Sequence, residues 1–172
     1  MTDKIKQAQL LATFVHHGQK RQDGEDYIEH PTRMIRAYLM SIVPNKFTSL
    51  EDFMNHLTEE QIVRGCAIWL HDTIEDSKHP EAIGHVIRQY FGEEVWMLVR
   101  ALTHDTKKEL YNDYITRVFQ HPTAWEIKWL DMIDNTSYNI PDKQRTRYRD
   151  ACIHLIAHGV EVPEILKKRL EI

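Results

Sequence analysis

The chain has little that breaks a helix and little that marks a strand. Gly and Pro number six each among 172 residues, so helices can run long, and the period-two alternation of a half-buried strand is nearly absent. Only two cysteines occur, Cys66 and Cys152, far apart and in apolar helical surroundings. They exclude a disulfide framework and read as core thiols of a reducing compartment. No apolar run approaches the ~20 residues of a membrane span, and "MTDKIKQAQLL" lacks the apolar core of a signal peptide. Basic excess is missing too: 22 Lys and Arg stand against 26 Asp and Glu, a formal net charge of −4. That argues against a dedicated binder of polymeric nucleic acid. The expectation is a soluble cytoplasmic protein with no membrane partner.

What is present is a run of helical stripes. With 42% apolar residues, the chain can bury an ordinary core, and its length fits one domain over residues 1–172. Ile5, Leu10, Leu11 and Phe14 give a first helix, with Gly18 as its C-terminal stop. His30 precedes Pro31, which biases His30 to an extended conformation and places Pro31 at a helix start. The next helix stops before Pro44, and Thr48 or Ser49 offers an N-cap beyond it. Thr58, with Gln61 three residues on, has the pattern of a capping box. Ile62, Cys66, Ile68, Trp69 and Ile74 predict a helix buried around much of its circumference. Further helices follow, one closed by Gly92. Another carries Leu110, Tyr114, Ile115 and Val118 on one face. An apolar one ends at Pro141, one is capped by Asp142, and a short one closes the chain. The fold class is all-α, a single helical bundle. A homo-oligomer is left open, depending on whether Trp96 or Trp125 lies on an exposed face.

Eleven histidines are scattered along the chain, and three segments could do chemistry. In "WLHDTIED", read as helix, His71 and Glu75 share a face, as do Asp72 and Asp76. His71 and Asp72 point about 100° apart on a helix, so they meet on one ion only near a helix end or at an oblique approach. Acids at a helix C-terminus oppose the macrodipole, which makes a purely structural role for "HDTIED" electrostatically awkward. A mixed His and carboxylate set suits Mn²⁺, Fe²⁺, Zn²⁺ or Mg²⁺. In "KWLDMIDN", Asp131 and Asn135 are one turn apart. Asp131 sits inside an apolar helix, so it must be paired, with Arg100 or Lys128, or bind a cation; Asp134 is the competing acid. In "DGEDYIEHP", His30 is held at a loop-to-helix junction, either as a ligand or as a surface or capping histidine. A second His-Asp pair, "LTHDT", lacks following carboxylates, and His104 or Asp105 there can simply cap.

These segments, in this order, resemble the HD-domain metal-dependent phosphohydrolases, and more closely the hydrolase domain of the RelA/SpoT family and the small alarmone hydrolases. The family pattern of His-x-Gly-Gln, Arg and Gly-Glu-Pro-Tyr-Ile-x-His-Pro is matched by "HHGQKRQDGEDYIEHP". Leu-His-Asp-x-x-Glu-Asp is matched by "LHDTIED", the Phe-Gly-x-x-Val segment by "FGEEVWMLVRALT", and Val-Lys-x-x-Asp-x-x-x-Asn by "IKWLDMIDN". The match runs from about Leu10 to Asn135.

The resemblance implies an HD-domain fold with His30, His71, Asp72 and Asp131 as ligands of one divalent metal, typically Mn²⁺. It implies Glu75 and Asp76 as the acids that activate water and shuttle protons, and Arg21 and Asn135 as nucleotide contacts. The implied reaction is hydrolysis of the 3′-pyrophosphate of ppGpp or pppGpp to GDP or GTP and pyrophosphate. The alternatives are another nucleotide, such as a deoxynucleoside monophosphate or NADPH, or a nucleotide sensor that does not catalyse. The chain departs from the pattern at Asp26, Gln22, His104 and Thr136–Ser137, losing two basic residues. His104 is placed as a substrate-side contact or a helix cap.

Overall fold

Thr58 does begin a helix as a capping box. In the computed structural model its hydroxyl accepts from Gln61 N at 3.2 Å, and Gln61 Oε1 accepts from Thr58 N at 2.9 Å. The structure describes residues 3–43 and 54–172; the N-cap expected at Thr48 or Ser49 lies outside them. Nine helices lie wholly within the described residues: α1 (Asp3–Val15), α2 (Glu29–Ile42), α3 (Glu59–Leu70), α4 (Pro80–Phe91), α5 (Glu93–Leu102), α6 (Tyr111–Phe119), α7 (Pro122–Asn135), α8 (Asp142–Ala157) and α9 (Glu164–Leu170). Beyond helices, the described residues contribute one isolated antiparallel bridge, Lys20 to Asp26. The fold is all-α. No described helix is long and apolar enough to cross a membrane.

The helices group into two compact units, Met1–Thr103 and His104–Ile172. In the first, α3 is the central element and packs against α1, α2 and α5. Gly65 through Leu70 are all buried, as a helix with neighbours on several sides requires. The α1 stripe differs from the expected one. Ile5, Ala8 and Ala12 face inward, while Leu10 and Phe14 are 69% and 76% exposed. Small side chains win here because α1 approaches α3 closely: a Cβ at Gly65 would come within 3.1 Å of Ile5 Cδ1. Cys66 is fully buried, and burial pushes its thiol up to about 12, an inert core thiol as expected. Trp96 is half-buried, with Arg88 stacked over its ring.

In the second unit, α6 packs on α7 and α8, and α9 packs on α8 and α7. Tyr114, Ile115 and Val118 are buried, but Leu110 is 76% exposed. It is the extended residue before α6, so helical periodicity does not reach it. Asp142 is the first residue of α8, and its side chain makes no capping bond; Pro141 holds the cap position. Cys152 is buried, its thiol pushed up to about 11. Trp125 is half-buried, edge-on to Phe119.

Candidate metal centre

The first unit brings His30, His71 and Asp72 together, and local chemistry explains how. Helix α3 ends at Leu70, earlier than the helix read through "HDTIED", and residues 71–76 continue as turns. A helix end leaves carbonyls without intrahelical donors. Here His71 Nδ1 donates to Ile68 O at 2.9 Å and the Thr73 hydroxyl donates to Leu70 O at 2.7 Å. The α-type bond from Asp76 N to Asp72 O at 2.9 Å keeps the two acids one turn apart. His71 and Asp72 thus sit where a helix stops, the geometry that lets neighbouring side chains reach one point.

His30 is helical, the second residue of α2, not extended. Pro31 falls in the first turn, where no amide proton is needed, and His30 N bonds Tyr27 O at 3.0 Å. The steric bias before proline is a tendency, and the helix start overrides it.

Three basic atoms converge. His71 Nε2 lies 2.8 Å from Asp72 Oδ2 and 3.3 Å from His30 Nε2, and His30 Nε2 lies 3.9 Å from Asp72 Oδ2. Because His71 Nδ1 carries the proton given to Ile68 O, its Nε2 presents a lone pair to this group. A lone pair and a carboxylate oxygen at 2.8 Å repel unless a positive centre, a proton or a metal ion, lies with them. Metal–ligand bonds of about 2.0–2.2 Å set neighbouring ligand atoms about 3 Å apart, close to the two distances from His71 Nε2, while the His30–Asp72 pair is wider. Two imidazoles and a carboxylate are a donor set that fits a divalent cation. His30 and His71 are buried at 1% and 3% exposure, so such an ion would be largely shielded from water on their side.

A second layer holds these groups. The Tyr27 hydroxyl donates to Asp72 Oδ2 at 2.5 Å, and its ring stacks on His16 at 4.4 Å. His16 Nδ1 pairs with Gln19 Oε1 at 2.8 Å and stands 3.7 Å from Asp76 Oδ2. Burial lowers the proton affinity of His16. Asp76 moves the other way: with its side chain 34% exposed, partial desolvation reinforced by the Asp72 carboxylate pushes it up to about 6. Glu75 is exposed. Arg21 lies in the turn between α1 and α2, closed by Gly24 N to Arg21 O at 3.0 Å with Gly24 at φ 89°. Asp26, where the family pattern has proline, is paired with Lys20 at 2.8 Å. Tyr27, His16 and Gln19 were not singled out from sequence, although the "HHGQ" and "DYIEHP" motifs contain them.

The second unit holds Asp131 and Asn135 together in a polar group on α7. Asp131 is 3% exposed. Lys128 Nζ donates to its Oδ2 at 2.6 Å and Asn135 Nδ2 to its Oδ1 at 2.6 Å. Lys128, one of the two partners weighed for Asp131, pairs with it. Asn135 also donates to the Tyr148 hydroxyl at 3.1 Å. In the second His-Asp pair, Asp105 accepts from Lys107 N and pairs with Lys108, a turn cap. His104 stacks on Tyr114 at 4.7 Å and contacts Glu109 O.

Comparisons with known proteins agree with this picture. No family model matches the chain. Over 140 residues it is 31% identical to a guanosine-3′,5′-bis(diphosphate) 3′-pyrophosphohydrolase of Aquifex aeolicus, covering 77% of this chain and 17% of that protein. Over 105 residues it is 35% identical to a GTP pyrophosphokinase of Myxococcus xanthus, covering 61% of this chain and 11% of that one. The chain resembles the RelA/SpoT-type proteins. It spans less than a fifth of either relative's length. Its fold is that of a solved metazoan SpoT ortholog, described as hydrolysing ppGpp, with a TM-score of 0.68 and 20% identity over 98% of this chain and 92% of that one.

Proposed function

We propose that the chain is a metal-dependent nucleotide phosphohydrolase of the HD type, with residues 1–172 as a single hydrolase domain. The leading substrate is (p)ppGpp, cleaved at its 3′-pyrophosphate to GDP or GTP and pyrophosphate. The observation that carries this is the convergence of His30 Nε2, His71 Nε2 and Asp72 Oδ2 beside an acid, Asp76, whose proton affinity is raised. His30, His71 and Asp72 would hold the ion, with Asp131 as fourth ligand and Mn²⁺ as the ion. A divalent cation supplies Lewis acidity toward water and phosphate oxygen when bound.

The remaining work falls to the chain's own side chains. Asp76, pushed up to about 6, takes and returns a proton near neutral pH, as an acid–base group should. Glu75 is the second acid at the same turn. Arg21 offsets phosphate charge with a planar fork of donors. Asn135 orients the nucleotide from α7. The pairing of Asp26 with Lys20 neutralises the acid that this chain adds to the pattern, which favours an anionic substrate. The chain is proposed to act in the cytoplasm, and self-association is proposed only as an option.

A release panel with Mn²⁺ tests the reading. Pyrophosphate from ppGpp or pppGpp supports it. Phosphate from deoxynucleoside monophosphates or NADPH, with none from ppGpp, rejects the alarmone. Nucleotide binding without turnover under several metals assigns a sensor instead.

A further inference from the structure

Tyr27 reaches one acid of the 71–76 turns, Asp72. Its hydroxyl donates to Asp72 Oδ2 at 2.5 Å. The ring is fixed by its neighbours: it stacks on His16 at 4.4 Å and 24°, and meets His30 edge-on at 6.0 Å. The backbone is fixed as well, since Tyr27 N donates to Gln19 O at 3.1 Å and Tyr27 O accepts from His30 N at 3.0 Å. The same residue therefore holds Asp72 and opens the turn that sets His30.

The Asp72 atom that Tyr27 holds is the one nearest His71 Nε2. Asp72 lies on a turn with its side chain 21% exposed, and the Tyr27 hydroxyl holds its Oδ2. A phenol has one proton to give; given to Asp72, it fixes that carboxylate. Carboxylates that ligate metals are themselves hydrogen-bonded, and loss of that partner typically weakens metal binding about 10–100-fold.

We propose that Tyr27 is a positioning residue, aiming Asp72 Oδ2 at the ion shared with His30 and His71. This rests on the metal-site reading given under Proposed function. It adds a role that none of the proposed ligands or acids fills.

The test is Tyr27→Phe, which keeps the ring on His16 and removes only the hydroxyl. Thermal unfolding of the metal-free protein and Mn²⁺ titration calorimetry are run on both forms. The expected result is an unfolding midpoint close to wild type with Mn²⁺ affinity down about tenfold or more. In pyrophosphate release, kcat at saturating Mn²⁺ falls more than KM rises. A folded variant with wild-type Mn²⁺ affinity overturns the role while leaving the metal site standing. If wild type itself binds no divalent ion, the metal-site reading fails and Tyr27's role fails with it. Should the variant not fold, wild type with ¹³Cζ-labelled tyrosine decides. The Tyr27 signal shifts on Zn²⁺ titration if the hydroxyl and the ion share Asp72, and an unmoved signal overturns the proposal.

Discussion

The Nε2 atoms of His30, on α2, and His71, at the end of α3, face each other at 3.3 Å. Two ring nitrogens this close, with Asp72 Oδ2 2.8 Å from one of them, are stabilised by a positive charge among them. A bound divalent ion should therefore stabilise the fold. At a free concentration about 100 times its dissociation constant, a ligand adds ~2.7 kcal/mol, and ~1 kcal/mol moves the midpoint of a chain this size by about 2–4 °C. Mn²⁺ should raise the unfolding midpoint of wild type by about 5–10 °C. His71→Ala and Asp72→Asn should lose most of that gain, and metal analysis should find them empty. A gain of equal size in Asp72→Asn would place the ion elsewhere.

Asp76 makes stability depend on pH in a stated direction. Its carboxyl is raised from 3.8 to about 6 in the folded state. The stability it contributes is fully present below the unfolded value and is lost as pH rises through the folded value. Between pH ~4 and ~6 the folded protein holds a proton that the unfolded chain releases. His16, lowered by burial, acts oppositely: its contribution is present above about pH 6.5 and fades as pH falls. In EDTA, Asp76→Asn should gain stability over wild type progressively from pH 4 to 7, read as a urea midpoint. A difference that shrinks across that range would show that Asp76 is not the raised group.

The helical bundle was legible because its signals are local. Thr58 and Gln61 read as a capping box and are one; Tyr114, Ile115 and Val118 read as one buried face and are buried. The failures are tertiary. Leu10 and Phe14 are apolar yet exposed, since the inward face of α1 is chosen by how closely it approaches Gly65. His30 was read as extended because proline's effect is local, whereas a helix start is settled by the whole first turn. Motif order picks out His30, His71 and Asp72, which the fold brings together. It does not pick out Tyr27 and Gln19, because their work is to hold other side chains, and only coordinates reveal a donor aimed at Asp72.

Lys128 should matter to folding as much as to any chemistry. It donates to Asp131 Oδ2 at 2.6 Å, with side-chain exposures of 11% and 5% for the pair. Burial opposes the lysine's charge, and Asp131 and the surrounding tyrosines raise its proton affinity well above the ordinary value. Breaking one side of such a pair typically costs about 3–5 kcal/mol, because the other charge is left buried. Lys128→Met should lower the urea midpoint of the metal-free protein accordingly. Lys128→Met with Asp131→Leu should recover part of the loss. Additive losses in the double variant would mean that the two charges are not coupled.

Arg169 gives the strongest test of how α7 is held. Its guanidinium, carried by α9, donates to Ile133 O at 2.6 Å and to Ser137 Oγ at 2.9 Å. Arg145 in turn donates to Arg169 O at 3.0 Å. Ile133 belongs to the last turn of α7, where carbonyls lack intrahelical donors and a positive charge complements the macrodipole. Hydrogen bonds from a charged donor contribute about 1.5–3 kcal/mol each. Arg169→Ala should therefore destabilise the metal-free protein by about 2 kcal/mol, and Arg169→Lys should recover less than half, since an ammonium cannot reproduce the planar fork. Hydrogen exchange should locate the effect: amides of the last turn of α7 should exchange faster, while those of α3 remain protected. Uniform loss of protection across both helices would mean that Arg169 supports the fold as a whole, not the end of α7.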